Sequence, residues 1–155
     1  MAINEIQAYW QKFLSTLPED SPYHTKSYVA EGWGDGPEMA DELGTLIVNG
    51  IKTATCSALW EWEAEGNSPP KTGTVTIVLD GRGEPIGIVE SIEVNIRKYN
   101  EVEAAFAREE GEGDLSLRYW REAHKNFFSR SLVEIGKEFS EEMPLVCERF
   151  RLIFK

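Results

Sequence analysis

The amino-acid sequence predicts an α+β fold in which helices pack on a mostly antiparallel, barrel-like sheet. Several short apolar strands lie between helical segments, without the strand-helix-strand rhythm of a parallel sheet. The clearest strands, at 74–79 and 85–94, flank the turn Asp80-Gly81-Arg82-Gly83 and so predict a β-hairpin. Closure of such a sheet into a barrel would remove exposed edges, which matters for strands as apolar as residues 86–89.

Two amphipathic helices precede the sheet. The first has apolar residues at spacings of three and four and ends before Pro18; these residues are Ile3, Ile6, Trp10, Phe13, Leu14 and Leu17. Residues 19–37 are rich in glycine, proline and aromatic side chains, which predicts a long loop that lies across a pocket mouth. Pro37 begins the second helix, and Asn49-Gly50 ends it with a left-handed turn.

The remaining elements follow from local pattern. Residues 52–59 are rich in threonine and small side chains and predict a strand, which continues through Trp60 toward the turn at 66–70. Short and long helices are predicted at 101–107 and 115–128, and alternation at 145–154 predicts a closing strand. No linker, repeat or low-complexity tract interrupts the sequence, so we expect residues 1–155 to form a single domain.

The charge balance argues against a general nucleic-acid binder. The chain has 27 acidic and 16 basic residues, a formal net charge of −11. A basic surface attracts phosphates by releasing counterions, whereas this mean field repels them. Contact with RNA therefore requires a local basic site, and DNA is not an expected partner. A nucleoside carries no phosphate, so the charge favours a small ligand.

Three patterns in the sequence argue against a disulfide-stabilised protein, a zinc protein and a membrane protein. Cys56 and Cys147 are predicted to be reduced and buried, because a chain with this much core needs no disulfide. His24 and His124 are far apart and no close Cys or His pair has zinc-ligand spacing, so the sequence indicates no metal and no cofactor. No apolar run approaches the length of a membrane span, and the first residues contain the acid Glu5 without a basic flank. We therefore expect a cytoplasmic protein with no membrane partner.

The segment from Gly50 to Thr55 has the most suggestive chemistry. A glycine that ends a helix is followed at once by a lysine and two hydroxyls that enter a strand. It is not a P-loop, because in that motif the Gly-Lys-Ser/Thr run leads into a helix. Strand alternation places Lys52 and Cys56 on one face and Thr55 on the other, so a β-bulge is required to bring Lys52 and Thr55 together. Without further information, a solvated strand-edge lysine is the plainer interpretation.

The wider pattern resembles the ASCH domain family. The resemblance rests on Gly50-x-Lys52-x-x-Thr55 after an amphipathic helix, and on Glu109-Glu110-Gly111-Glu112-Gly113-Asp114 followed by Ser116-Leu117-x-x-Trp120-Arg121-x-x-His124 and a strand from Leu145. It covers nearly the whole chain. More narrowly, the chain is similar to bacterial members that carry the Glu-Gly-Glu-Gly-Asp run.

This resemblance implies a PUA-like β-barrel with a cleft beside the Gly-x-Lys-x-x-Thr segment and a role in RNA or nucleoside metabolism. Some members hydrolyse the acetyl amide of N4-acetylcytidine with a lysine, a threonine and a glutamate, and another is a ribonuclease. Carried onto this sequence, the resemblance implies catalytic roles for Lys52, Thr55 and Glu112. Glu110 and Asp114 are the next choices for the acid.

Such a set has a reasonable route to amide cleavage. The Thr55 hydroxyl is a poor nucleophile, so Lys52 either becomes neutral on burial and accepts its proton, or stays cationic and stabilises the oxyanion. Glu112 then protonates the leaving exocyclic nitrogen of cytosine.

Further residues are expected to bind the ligand: Gly50, Thr53, Trp60, Glu110, Asp114 and Arg121. Trp60 offers an indole on which a base can stack, and Arg121 offers a guanidinium to a base or phosphate, although core packing and a surface salt bridge explain them equally simply. His124 is interpreted as a packed helix histidine and Glu90 as a solvated strand carboxylate.

Three functions therefore stay open from the sequence. The first is an amidohydrolase that acts on an N4-acylated cytidine, and the second is a non-catalytic RNA- or nucleotide-binding module that uses the same cleft. The third is a ribonuclease in which Lys52 neutralises the phosphate. In each case the expected partner is a nucleoside or a short RNA, and the sequence does not determine the oligomeric state.

Overall fold

A computed structural model describes residues 2–34 and 36–155. Its helices are α1 (Ala2–Ser15), α2 (Pro37–Val48), α3 (Leu59–Glu65), α4 (Ala104–Glu110) and α5 (Leu117–Ser131). Its strands are β1 (Val29–Glu31), β2 (Ala54–Ala58), β3 (Val75–Leu79), β4 (Pro85–Lys98) and β5 (Pro144–Phe154). Short 3-10 turns lie at Pro22–Thr25, Tyr99–Glu101 and Leu132–Ile135.

The strands form one mixed sheet of order β1-β3-β4-β5-β2. β3 and β4 form the predicted antiparallel hairpin, in which Asp80 Oδ1 accepts hydrogen bonds from the amides of Arg82 and Glu84. β2 pairs antiparallel with β5 in regular register, with Cys56 opposite Cys147. β1 pairs in parallel with β3. The α+β class predicted from the sequence is confirmed.

Two compact units make up the chain, and each combines separate stretches of sequence. The first unit contains the chain up to Gly50 together with Gly73–Glu90 and Arg151–Lys155. The second unit contains Ile51–Thr72 and Ser91–Phe150. No helix within the described ranges is long and apolar enough to cross a membrane.

Each unit has an apolar core of its own. In the first unit, the predicted apolar face of α1 packs on β3 and β4; the buried residues are Trp10, Phe13, Leu14, Val75, Ile77 and Ile88. In the second unit, β2 packs against α4 and α5; the buried residues include Ala54, Ala58, Phe106, Trp120, Phe128 and Leu145. The apolar faces predicted for α1 and α5 contain the buried residues of these two helices, and their other described members are half-buried: Ile6, Leu17, Leu117, Ala123 and Phe127. The predicted Ile3 side chain lies outside the described side chains.

Two segments differ from the sequence prediction. Residues 59–65 form helix α3 instead of extending the strand, because leucine, glutamate and alanine favour a helix and Gly66 ends it in the left-handed conformation with φ 70°. The two tryptophans at period two had suggested a strand. The predicted loop at 19–37 contains β1, which is three residues long and therefore too short for an alternation of apolar and polar residues to predict it.

Some helices and strands also begin or end at other residues than predicted. α5 begins at Leu117 because the Ser116 hydroxyl accepts a hydrogen bond from the amide of Tyr119 at 3.0 Å, so the start lies later than predicted. α4 runs to Glu110, three residues beyond the predicted end, and Gly111 ends it. β4 continues to Lys98, past the predicted 94, as a largely exposed segment.

A buried carboxylate lies at the end of the hairpin in the first unit. Glu90 was interpreted as solvated from the sequence, and that interpretation is wrong, because only 8% of the residue is exposed. Its carboxylate accepts hydrogen bonds from Tyr23 Oη at 2.6 Å, Lys26 Nζ at 2.9 Å and Arg151 Nη2 at 2.8 Å. Burial raises the pKa of Glu90, but these hydrogen bonds outweigh it and lower the pKa from 4.5 to about 2.

The Glu90 cluster makes the stability of the protein depend on pH in acid. Because the folded pKa is about 2 and the ordinary value is 4.5, the stabilisation is complete above pH 4.5 and is lost as the pH falls toward 2. The full shift in the pKa of Glu90 corresponds to a stabilisation of the folded state by about 3 kcal/mol. We expect the difference in unfolding free energy between wild type and Glu90→Gln to be about 2 kcal/mol smaller near pH ~3 than at neutral pH. Urea denaturation at both pH values measures it, and an equal difference at both would contradict the assigned role.

Candidate functional site

Lys52 is buried and paired with two carboxylates. It lies just before β2, and its side chain is 1% exposed, so the solvated interpretation from the sequence is wrong. Its ammonium donates to Glu110 Oε1 at 2.9 Å, to the Glu110 carbonyl oxygen at 3.3 Å and to Glu112 Oε2 at 2.9 Å. An ammonium has three N–H donors, so all three are engaged.

The turn after α4 brings both carboxylates to the same lysine. Gly111 has φ 74°, a conformation that glycine adopts without steric cost, and it reverses the chain between Glu110 and Glu112. The turn is fixed against the start of β2, since the amide of Thr53 donates to the carbonyl oxygen of Glu109 at 2.8 Å. A Cβ on Gly111 would lie 2.7 Å from the carbonyl oxygen of Ile51, so the backbone approach also requires glycine.

Glu110 is the centre of the polar cluster. Its side chain is 2% exposed, and its Oε2 accepts a hydrogen bond from Trp120 Nε1 at 2.5 Å. His124 Nε2 lies 3.4 Å from the same oxygen. The ligand atoms of Cys56, Glu110 and His124 all lie within 4.8 Å of one another. One carboxylate therefore joins the start of β2, the end of α4 and one face of α5.

Helix α5 sets the orientation of Trp120 and His124. The two residues are four positions apart, which places them on one helical face, and their rings stack with centroids 4.2 Å apart. His124 Nδ1 lies 2.8 Å from the carbonyl oxygen of Trp120. A carbonyl oxygen only accepts, so Nδ1 carries a proton and Nε2 is the nitrogen that faces Glu110.

The electrostatics of the cluster keep the central pair charged. Burial lowers the pKa of Lys52, but the charges of Glu110 and Glu112 outweigh it and the net shift is upward. Burial raises the pKa of Glu110, and the opposing effects of Lys52 and His124 make the net shift downward. Burial, followed by the charge of Glu110, raises the pKa of the Cys56 thiol well above its usual value. In this arrangement Lys52 is a cation and not a neutral general base.

Glu112 is the solvent-facing member of the cluster. Its side chain is 25% exposed, against 1% for Lys52. One oxygen, Oε2, is held by Lys52, and within residues 2–34 and 36–155 no hydrogen bond reaches the other oxygen. The buried ammonium thus fixes an accessible carboxylate with one acceptor oxygen to spare.

Thr53 and Thr55 follow Lys52 at the start of β2. β2 pairs with β5 without a register shift, so the bulge that would bring Thr55 to Lys52 is not found in this strand. Alternation places Thr55 on the face opposite Cys56, and its register partner is Glu148. The exposed Thr53 hydroxyl lies 3.4 Å from the carbonyl oxygen of Glu109. The sequence-predicted catalytic residues that the structure brings together are Lys52 and Glu112, with Glu110 beside them.

The other predicted ligand-binding residues have structural contacts. Trp60 packs against the core of the second unit, and Lys137 Nζ lies 5.5 Å from the ring centroid. Asp114 accepts a hydrogen bond from the amide of Ser116 before α5. Arg121 is exposed, and its backbone oxygen accepts from Tyr99 Oη. Gly50 turns the chain after α2 with φ 76°.

Sequence reasoning did not place Trp120, His124 and Cys56 in the site. His124 is packed between the rings of Trp120 and Phe128, as predicted, but it also faces Glu110. The i, i+4 spacing of Trp120 and His124 was a usable signal for a shared helix face. The proximity of Cys56 to that face arises from packing of β2 against the helices, which no spacing along the chain indicates.

Removal of the Lys52 ammonium should leave Glu110 buried without its partner. We expect Lys52→Met to lower the free energy of unfolding by about 3–5 kcal/mol, because an uncompensated buried charge is costly. Lys98→Met is the matched control: Lys98 and Glu142 are exposed and 4.0 Å apart, so a change within about 0.5 kcal/mol is expected. Urea denaturation measures both, and equal losses in the two variants would refute the buried-pair assignment.

The turn at Gly111 should be less tolerant of a side chain than other turns with positive φ. Gly66→Ala, where no atom lies within 4 Å of the new Cβ, should cost about 1–2 kcal/mol for the left-handed conformation alone. Gly111→Ala should cost at least about 1 kcal/mol more, because its Cβ meets the Ile51 backbone. Thermal and urea unfolding of the two variants give the comparison, which fails if Gly66→Ala is the more destabilised.

Comparison with known proteins agrees with the fold. The family model described as the ASCH domain matches residues 30–154. A crystal structure of an ASCH domain from Lactobacillus crispatus JV V101 is similar, with a TM-score of 0.92 and 36% identity over 98% of this chain and 96% of that chain. A crystal structure of a protein from Enterococcus faecalis V583 has a TM-score of 0.86 and 35% identity over 98% of this chain and 90% of that chain. A search of curated proteins found no match. The chain belongs to the ASCH domain family.

Proposed function

We propose that this ASCH domain binds the base of a nucleoside, or an unpaired base of a short RNA, with Glu112 as the hydrogen-bond acceptor. The observation that carries the proposal is the fixation of Glu112 by a buried lysine at the solvent-facing edge of the cluster. A carboxylate held in this way presents an acceptor in a set position. The entropy cost of ordering it is already met in the free protein.

The chemistry of Glu112 suits the polar edge of a base. Amino and imino N–H groups of cytosine and guanine are donors, and carboxylates accept from such groups in base recognition. One carboxylate oxygen is engaged with Lys52, so the other can accept from the ligand. We therefore expect the ligand to be a base with an amino or imino N–H donor on its polar edge.

A phosphate is a poorer fit for this cluster. The three donors of Lys52 are already used by Glu110 and Glu112, so a phosphate would have to displace a buried partner at a cost of several kcal/mol. The net charge of −11 adds a repulsive mean field. A ribonuclease in which Lys52 neutralises the phosphate is therefore less well supported, and a nucleoside is favoured over RNA.

Hydrolysis of an N4-acylated cytidine is the second candidate. The observation that favours it is the direct contact, at 2.9 Å, of a lysine with an accessible carboxylate. In that reaction the Glu112 carboxylate accepts a proton from a water molecule as the water oxygen adds to the amide carbonyl, and it then gives this proton to the exocyclic nitrogen as the C–N bond breaks. Lys52 holds Glu112 in position for both proton transfers. Thr55 lies on the face of β2 opposite Cys56, and all three Lys52 donors are already engaged, so binding ranks before catalysis.

Glu112→Gln should weaken nucleoside binding, because it keeps the shape of the side chain but removes its charge. We expect the Kd for cytidine, guanosine or N4-acetylcytidine to rise about 10–100-fold, the range for loss of a hydrogen bond to a charged group. Isothermal titration calorimetry against these nucleosides and a short single-stranded RNA measures the change. Glu122→Gln, an exposed acid on α5, is the matched control and should leave the Kd unchanged.

Wild type and Glu112→Gln, incubated with the same nucleosides, also distinguish binding from turnover. Chromatography after incubation with N4-acetylcytidine detects cytidine and acetate if the amide is hydrolysed. Binding without product supports the first function, and product that disappears in Glu112→Gln supports the second. Failure of every nucleoside and of the RNA to bind wild type would overturn the proposal.

A further inference from the structure

We propose that Cys56 Sγ, Glu110 Oε2 and His124 Nε2 form a zinc-binding site in the second unit. Sequence spacing predicted no metal, because these ligands come from β2, α4 and α5 and are far apart along the chain. The inference does not depend on nucleoside binding, and measurements of metal binding alone test it. It assigns a role to Cys56 and His124, which the proposed function does not use.

The three ligand atoms already have nearly the separations of a zinc site. Zn–ligand bonds of about 2.0–2.3 Å at tetrahedral angles place ligand atoms roughly 3.3–3.8 Å apart. His124 Nε2 and Glu110 Oε2 are 3.4 Å apart, and all three ligand atoms lie within 4.8 Å of one another.

The orientation of His124 is the one that zinc-bound histidines adopt. Its Nδ1 donates to the Trp120 carbonyl oxygen at 2.8 Å, which leaves Nε2 directed at the Glu110 carboxylate. Metal-bound histidines typically donate their second ring N–H to a carbonyl or carboxylate, because this fixes the ring and the tautomer. Without a proton or a cation between them, Nε2 and Oε2 would be two acceptors that face each other.

The neighbouring groups are compatible with a divalent cation. Lys52 contacts the other oxygen of Glu110, Oε1, whereas Oε2 accepts from Trp120 Nε1 and lies 3.4 Å from His124 Nε2, with a second lone pair for a metal ion. The side chains of Lys52, Glu110 and Glu112 together carry one net negative charge. Binding of Zn²⁺ replaces the S–H bond of Cys56 with an S–Zn bond, takes the place of any proton on His124 Nε2, and releases these protons to solvent, so the zinc-bound cluster is neutral.

Zinc is the metal that this donor set favours. A thiolate, an imidazole and a carboxylate combine soft and borderline ligands, which Mg²⁺ and Ca²⁺ do not prefer. Three protein ligands leave a fourth coordination position for water or another ligand. The His124 side chain is 14% exposed, so the cluster is not sealed from solvent.

Titration of the chelator-treated full chain with Zn²⁺, in competition with a chromophoric chelator, tests the site. We expect one equivalent to bind, and Co²⁺ to bind with the near-ultraviolet absorption of a thiolate ligand. Cys56→Ser should abolish that absorption and weaken Zn²⁺ binding by more than about 100-fold, since even outer contacts of a zinc site are worth 10–100-fold. His124→Asn should weaken Zn²⁺ binding to a similar degree.

Cys147→Ser is the matched control, because Cys147 is the register partner of Cys56 on β5 and is buried. It should keep both the stoichiometry and the thiolate absorption, with circular dichroism confirming that each variant is folded. The inference is overturned if wild type binds no Zn²⁺ equivalent, if its Co²⁺ form lacks thiolate absorption, or if loss follows Cys147→Ser. Nucleoside binding measured with a chelator present tells failure of the zinc site apart from failure of the Glu112 site.

Discussion

The ion pair between Lys52 and Glu110 is the constraint on which the second unit depends. Removal of both charges from water costs several kcal/mol for each ion, and mutual attraction offsets this only when the remaining donors and acceptors are satisfied. Here every Lys52 donor has an acceptor, and the second oxygen of Glu110 accepts from Trp120. The start of β2, the end of α4 and one face of α5 are therefore held to one geometry, in which Gly111 is the turn that permits it.

This arrangement changes how the lysine can contribute to function. A buried lysine in an apolar pocket would lose its charge and become a base, but Lys52 is matched by two acids and stays cationic. Its effect is to hold Glu112 in place at the surface of the cluster. The cluster therefore presents a fixed carboxylate acceptor and not a lysine-activated nucleophile.

Each unit contains a buried carboxylate whose charge is compensated in a similar way. In the first unit, Glu90 accepts hydrogen bonds from Lys26, Arg151 and the hydroxyl of Tyr23. In the second unit, Glu110 accepts from Lys52 and the indole of Trp120. In both, a buried acid combines cationic donors with an aromatic donor, so a chain of net charge −11 keeps its buried carboxylates compensated.

The sequence by itself determined the α+β class, the β3–β4 hairpin, the helices α1, α2 and α5, and the motif that contains Lys52 and Glu112. Periodicity, turn residues and capping are local, so they act within a few positions of the chain. Tertiary structure alone decided that β1 pairs with β3, that Glu90 and Lys52 are buried, and that Thr55 lies opposite the face that carries Cys56. Those outcomes depend on which distant groups meet after packing, and burial of a charged side chain is favourable only when its partners arrive together.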